Sequence, residues 1–168
     1  MAEEIINRVA QSKLKVIDLE EIYPKNLRLI IDLKDWLFEG IVLKEKDFRT
    51  NLANHNWTQY QNCFVAVNCS NDAIIPDWAF MLVTVHLQPY AKKIVEGNLK
   101  TLETLIFQDL ISELDVSVYE NCPVIVKGCS HKPIPLNAYV QLTQKLQTVA
   151  KSIMFGEACS SVPLYKRK

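Results

Sequence analysis

Residues 60–97 are written a second time as residues 119–156, and this repeat limits the fold more than any other feature of the chain. The first copy reads Tyr60, Asn62, Cys63, Val65, Val67, Cys69, Ser70; the second reads Tyr119, Asn121, Cys122, Val124, Val126, Cys129, Ser130. The register slips by one at Gly128 and is restored near Asn137. Ala79, Thr84, Leu87, Gln88, Ala91, Lys92, Ile94 and Gly97 then recur as Ala138, Thr143, Leu146, Gln147, Ala150, Lys151, Ile153 and Gly156. Self-similarity of this kind marks one supersecondary unit used twice.

Each copy has the pattern of strand, helix, strand. Phe64–Val67 and Val124–Val126 are near-continuous apolar runs, as in strands of a parallel sheet covered on both faces. A polar loop with proline follows each Cys-Ser pair, then a helix. The first helix, over Asp77–Leu87, is apolar nearly all round, which suits deep burial or a subunit interface. Its twin over Asn137–Leu146 is amphipathic. Lys92–Val95 and Ser152–Phe155 close the units as short strands, and a helix carrying Leu99, Leu102, Leu105, Ile106 and Leu110 links them. Ahead of the repeat, the spacing predicts a helix over Glu3–Gln11 and strands over Leu14–Ile17 and Leu27–Ile31 joined by a turn at Tyr23–Asn26. Lys34–Phe38 and Asp47–Ala53 read as helical, with Ile41–Leu43 extended between them and His55 and Trp57 in a polar loop. The expected fold is α/β: one domain over residues 1–168, with a mostly parallel sheet built from the duplicated strand-helix-strand unit and an N-terminal strand pair at its edge.

A chain of 168 residues, 49% hydrophobic, can bury roughly 70% of its unfolded surface without help from metal or disulfide. Lys plus Arg equal Asp plus Glu at 19 each, so the basic field of a nucleic-acid binder is missing and no nucleic-acid partner is expected. The first residues are acidic and lead into no apolar signal segment, and the longest apolar stretch is too short to cross a bilayer. A soluble, cytoplasmic protein without a membrane partner is expected. Five cysteines is an odd count, and in a reducing compartment thiols stay free or bind metal.

Strands joined through a helix finish at the same sheet edge. Cys129 and Cys159 therefore belong on one edge, and Cys69 joins them if both copies share one sheet, at the carboxyl edge where open α/β sheets place ligands. Thiolates sharing a metal sit roughly 3.8 Å apart, so three neighbouring strand ends can serve one ion. Cys69, Cys129 and Cys159 are thus the candidate metal ligands, for zinc or an iron–sulfur cluster. Cys63 and Cys122 lie a strand length upstream and are expected at the opposite edge, in packing. Neither the paired C-x-x-C of zinc ribbons nor a dense ferredoxin run is present, so the same Cys-Ser pairs also read as tight turns built from small residues. A reactive sulfur nucleophile is the third reading. His131, two positions after Cys129, is a fourth-ligand or base candidate, although a loop histidine is more often simply solvated; His86 reads as core and His55 as surface. Asp72 and Lys132 occupy matching loop positions with opposite charge. Four glycines, at 40, 97, 128 and 156, build no phosphate-cradling motif. The ending Pro163–Lys168 reads as a small basic tail.

Lys34-Asp35-Trp36-Leu37-Phe38-Glu39-Gly40, Lys44 to Arg49, Asp72-Ala73-Ile74-Ile75-Pro76, Val126-Lys127-Gly128-Cys129-Ser130 and Gly156 to Arg167 together resemble a bacterial family, domain of unknown function 2480. The resemblance supplies no activity; it implies a role around sulfur mobilisation and iron–sulfur cluster assembly, with iron–sulfur assembly proteins as partners. Three functions are therefore carried forward: a non-enzymatic metal or iron–sulfur accessory protein, an interaction module forming a homo-oligomer, and a thiol-based sulfur-transfer protein.

Overall fold

The computed structural model describes residues 13–128 and 131–168, so the helix expected over Glu3–Gln11 lies outside the described residues. In chain order the elements are β1 (Lys15–Ile17), β2 (Arg28–Asp32), α1 (Glu45–Asn54), β3 (Phe64–Asn68), α2 (Asp77–Leu87), β4 (Lys93–Glu96), α3 (Leu99–Glu113), β5 (Pro123–Val126), α4 (Leu136–Gln147), β6 (Ser152–Glu157) and β7 (Ser160–Lys166). The α/β class is as expected. The chain divides into two compact units, one of residues 24–106 and one of residues 13–23 and 107–168.

The unit of residues 24–106 holds a three-stranded sheet in the order β2-β3-β4, all parallel. Four consecutive residues of β3, Phe64 to Val67, are buried, which is why this strand takes the centre. Val65 and Val67 face a core with Ile31, Leu33, Phe48 and Leu52, and with Ala79, Val83 and Leu87 of α2. Two short 3-10 turns, Leu33–Trp36 and Trp57–Tyr60, stand where the sequence suggested a helix and a loop.

The other unit holds the order β1-β5-β6-β7, parallel except for β7. Its core joins Ile17, Val124, Val126 and Ile153 to Ala138, Leu142 and Leu146 of α4. At the last turn of α3, the Lys145 ammonium donates to the carbonyls of Ile111 at 2.8 Å and Ser112 at 2.6 Å, a cation satisfying orphan acceptors at a helix end.

Two sequence expectations give way here. The repeat copies do not share one sheet; each is the centre of its own. The N-terminal strands are not paired with one another either: β1 pairs with β5 and β2 with β3. The reason lies in hydrogen bonding, because a strand buried on both faces leaves no water for its backbone groups and needs a ladder on either side. β4 and β6 supply one side of β3 and β5, and the N-terminal strands supply the other. The segment read as a basic tail is β7, a hairpin partner of β6.

The two copies agree in backbone detail. Asn62 and Asn121 take left-handed conformations, φ 57° and 53°, just before the central strands. Their N–H groups donate to Tyr90 O at 2.9 Å and to Val149 O at 3.0 Å. Asparagine tolerates this region better than most side chains. Pro76 and Pro135 stand at the N-caps of α2 and α4, and Gly97 and Gly156 share positive φ, 131° and 125°.

Candidate functional site

Parallel strands gather chain ends at the sheet's carboxyl edge, and both sheets carry polar clusters there. In the unit of residues 24–106, Asp32 ends β2 and is register-paired with Asn68 at the end of β3. One Asp32 carboxylate oxygen accepts from the N–H of Ser70 and the N–H of Lys34, each at 3.1 Å, and Lys34 Nζ lies 3.4 Å from the other. Partial burial works to raise the Asp32 pKa, yet the hydrogen bonds from Ser70 and Lys34 outweigh it and hold the carboxyl below its ordinary value. Asn68 Oδ1 is a buried oxygen with no hydrogen-bond partner among the described residues. The half-buried Cys69 thiol donates to Asn71 Oδ1 at 2.9 Å, and the N–H of Ala73 donates to the same oxygen at 3.2 Å. Asn71 in turn donates through Nδ2 to the Gly40 carbonyl.

In the other unit, Asp18 follows β1 and Lys127 follows β5, and their side chains pair at 3.1 Å. The Asp18 hydrogen bond and charge raise the Lys127 pKa, keeping the ammonium charged. The Glu20 carboxylate accepts from the backbone N–H groups of His131 and Lys132, which ties the loop before α4 to the segment after β1. Asp72 and Lys132, matched in the sequence, fall in different units; the Lys132 ammonium lies 5.7 Å from the centre of the Tyr23 ring.

The cysteines separate by strand end. Cys63 and Cys122 immediately precede β3 and β5, and their thiols donate to Gln61 O at 3.5 Å and Glu120 O at 3.3 Å. Those are amino-end positions, and Cys63 lies at the end of β3 opposite Cys69, as the strand length required. Cys159 is exposed in the two-residue turn between β6 and β7. Cys129 lies outside the described residues, and Cys69 and Cys159 belong to different units. The inference that carried Cys69 to the rim of Cys129 and Cys159 required one common sheet, and that premise is absent. Among the described residues, no three His, Cys, Asp or Glu side chains gather where they could hold one ion. No helix of the described residues is long and apolar enough to cross a membrane.

A second cluster went unnoticed in the sequence. The His55 ring lies 5.1 Å from Trp36, 4.7 Å from Trp57 and 5.7 Å from Tyr60, while His86 stacks on Trp57 at 5.1 Å. His55 Nε2 and the Tyr60 hydroxyl are 2.9 Å apart. Its members come from residues 36 to 86, with His55 and Trp57 in a segment read as loop and Tyr60 at the start of the repeat, so only the three-residue spacing of Trp57 and Tyr60 hinted at a shared turn. Burial lowers the His55 pKa and raises that of Tyr60, so both are neutral at pH 7 and neither is tuned for proton transfer there. The cluster is a packing unit with a pH signature. Between the ordinary histidine pKa of about 6.5 and its lower folded value, the unfolded chain takes up the proton and the folded chain does not. The His55 contribution is therefore complete above the ordinary value and is lost as pH falls towards the folded one. Thermal unfolding followed from neutral pH to about pH 5 should show a decline that His55→Gln flattens. An identical decline in the variant would remove His55 as its cause.

A family model described as Protein of unknown function (DUF2480) matches residues 3–167. No curated protein and no solved structure matches the chain.

Proposed function

The chain belongs to the family DUF2480, and from that premise we propose that it is a non-enzymatic accessory protein that holds a metal or an iron–sulfur cluster through cysteine. The ligands in this reading are Cys69, Cys129 and Cys159, the bound group is zinc or an iron–sulfur cluster, and the partners are cytoplasmic iron–sulfur assembly proteins. Its support is the sorting of thiols by strand end. Cys63 and Cys122 are committed to carbonyls at the amino ends, whereas Cys69 and Cys159 stand past carboxyl ends, in a polar loop and an exposed turn. Soft thiolates are the donors that zinc and iron–sulfur clusters select. Metal binding would take the proton that Cys69 gives to Asn71, and Asn71 Oδ1 would keep the Ala73 N–H. The matched backbone features of the two units support descent from one duplicated unit.

Elemental analysis and an absorption spectrum of oxygen-free protein test the reading. Metal is expected in the wild type and in Cys63→Ser and Cys122→Ser, and lost in Cys69→Ser, Cys129→Ser and Cys159→Ser. Metal-free wild-type protein, or metal indifferent to the latter three changes, overturns it.

Two other readings each rest on one observation. The exposure of Cys159 favours a sulfur-transfer protein, which requires that one thiol alkylate much faster than the others near neutral pH because the thiolate is the nucleophile. The apolar outer face of α2 favours an interaction module that forms a homo-oligomer.

A further inference from the structure

Helix α2 has two apolar stripes where an ordinary surface helix has one. Ala79, Val83 and Leu87 enter the core of their unit. On the opposite side Trp78, Met81, Leu82 and Val85 follow the same helical spacing of i, i+3, i+4, i+7; Met81 and Val85 are 67% and 68% exposed, while Trp78 and Leu82 are half-buried and rest against the margin of the core. With Glu45 and Arg49 of α1 they line an open groove of ≈ 490 Å³.

The chain contains its own control for this face. Helix α4 buries Ala138, Leu142 and Leu146 in the same register, so the fold asks for the same inner stripe. At the outer positions, however, α4 carries Asn137, Val140, Gln141 and Gln144 in place of Trp78, Met81, Leu82 and Val85. Helical packing in this architecture therefore does not require an apolar outer face. Such a face on one copy alone marks a surface that is covered by something else.

From this comparison we infer that the outer stripe of α2 seats against the same stripe of a second copy of the chain, in a twofold, antiparallel helix pair. This rests on the homo-oligomer reading and supplies its interface. Charge selects the occupant. The charged residues lining the groove are one acid and one base, Glu45 and Arg49, paired at 2.9 Å with the guanidinium 5.8 Å from the Trp78 ring centre. A rim with one charge of each sign is complementary to itself under a twofold axis, because each residue can meet its opposite from the other copy. A strongly acidic or basic partner would find no matching field. Two copies also approach without long-range repulsion, since the formal charge of the chain is +0. Antiparallel helices align their dipoles favourably as well.

Sedimentation of the full chain over a range of concentrations tests the interface. The wild type is expected to pass from monomer to dimer, and Met81→Glu with Val85→Glu is expected to weaken dimerisation by about tenfold or more. Should that pair of changes disturb folding, Met81→Gln with Val85→Gln alters only the exposed residues of the face and adds no charge, and the same weakening is expected. Far-ultraviolet circular dichroism reports whether each variant is folded. A wild type that stays monomeric at the highest concentration overturns both the interface and the homo-oligomer reading. A dimer unaffected by either folded variant overturns this interface alone and leaves association through another face.

Discussion

Glu103→Ala should lower the free energy of unfolding by about 3 kcal/mol or more, measured as a shift in the urea midpoint at unchanged slope. Arg28 and Glu103 meet at 2.6 Å and retain only 13% and 11% of their side-chain exposure. A second nitrogen of Arg28 lies 3.3 Å from the other carboxylate oxygen, so the contact approaches the two-pronged form in which arginine binds carboxylate most strongly. The same guanidinium donates to the carbonyls of Pro24 and Asn26 at 2.5 Å and lies 5.2 Å from the centre of the Phe64 ring. Arg28 thus ties the entry of β2, the central strand β3 and helix α3 together. Removing Glu103 takes the carboxylate from a cation that is only 13% exposed. Removing both charges is a different experiment: Arg28→Met with Glu103→Leu should recover much of the loss, because the larger cost is a largely buried charge without its carboxylate and not the missing attraction. A loss under about 1 kcal/mol for Glu103→Ala would place the pair with exposed ion pairs, which contribute little.

Gly156→Ala should also be costly, by about 2–3 kcal/mol, and more so than the same change at its repeat counterpart Gly97. Both glycines have positive φ, 125° at Gly156 and 131° at Gly97, so a side chain is strained at either position. The difference lies in what a new Cβ would meet. At Gly156 it would stand 2.6 Å from the backbone carbonyl oxygen of Ser160 on the paired strand β7. At Gly97 it would stand 2.9 Å from side-chain atoms of Thr101. A backbone carbonyl fixed in a hairpin moves only with its strand, and Thr101 Cβ moves only with α3, so the order rests on the closer approach at Gly156, 2.6 Å against 2.9 Å. Thermal unfolding of the two variants gives the order. Equal losses would show that φ strain alone sets the cost, and a greater loss at Gly97 would reverse the argument.

The elements were readable where burial imposed a pattern. The runs at Phe64–Val67 and Val124–Val126 gave two central strands, and the helical spacing of apolar residues gave α4 its inner stripe, while α2 read as a helix apolar nearly all round. β7 was not readable for a physical reason. Its exposed residues include Val162, Pro163 and Leu164, and it is an edge strand whose order comes from pairing with β6, so no run of buried side chains announces it. The histidine and tryptophan cluster was hidden because its contacts join Trp36 to His86 across three elements. For the thiols, strand length was enough to set Cys63 and Cys122 apart from Cys69, since rise per residue is a local property. Whether Cys69 shares a rim with Cys129 and Cys159 depended on which strands pair.

By itself, the sequence determined the α/β class, the strand-helix-strand order, the inner face of α4 and the strand ends at which Cys63, Cys69 and Cys122 fall. These follow from burial and backbone rise within short segments. Tertiary structure alone decided that the two copies form separate sheets, that β1 and β2 serve different central strands, and that Met81 and Val85 on α2 are exposed among the described residues. Those outcomes depend on which distant strands complete each other's hydrogen-bond ladders, a choice among partners that no local pattern encodes.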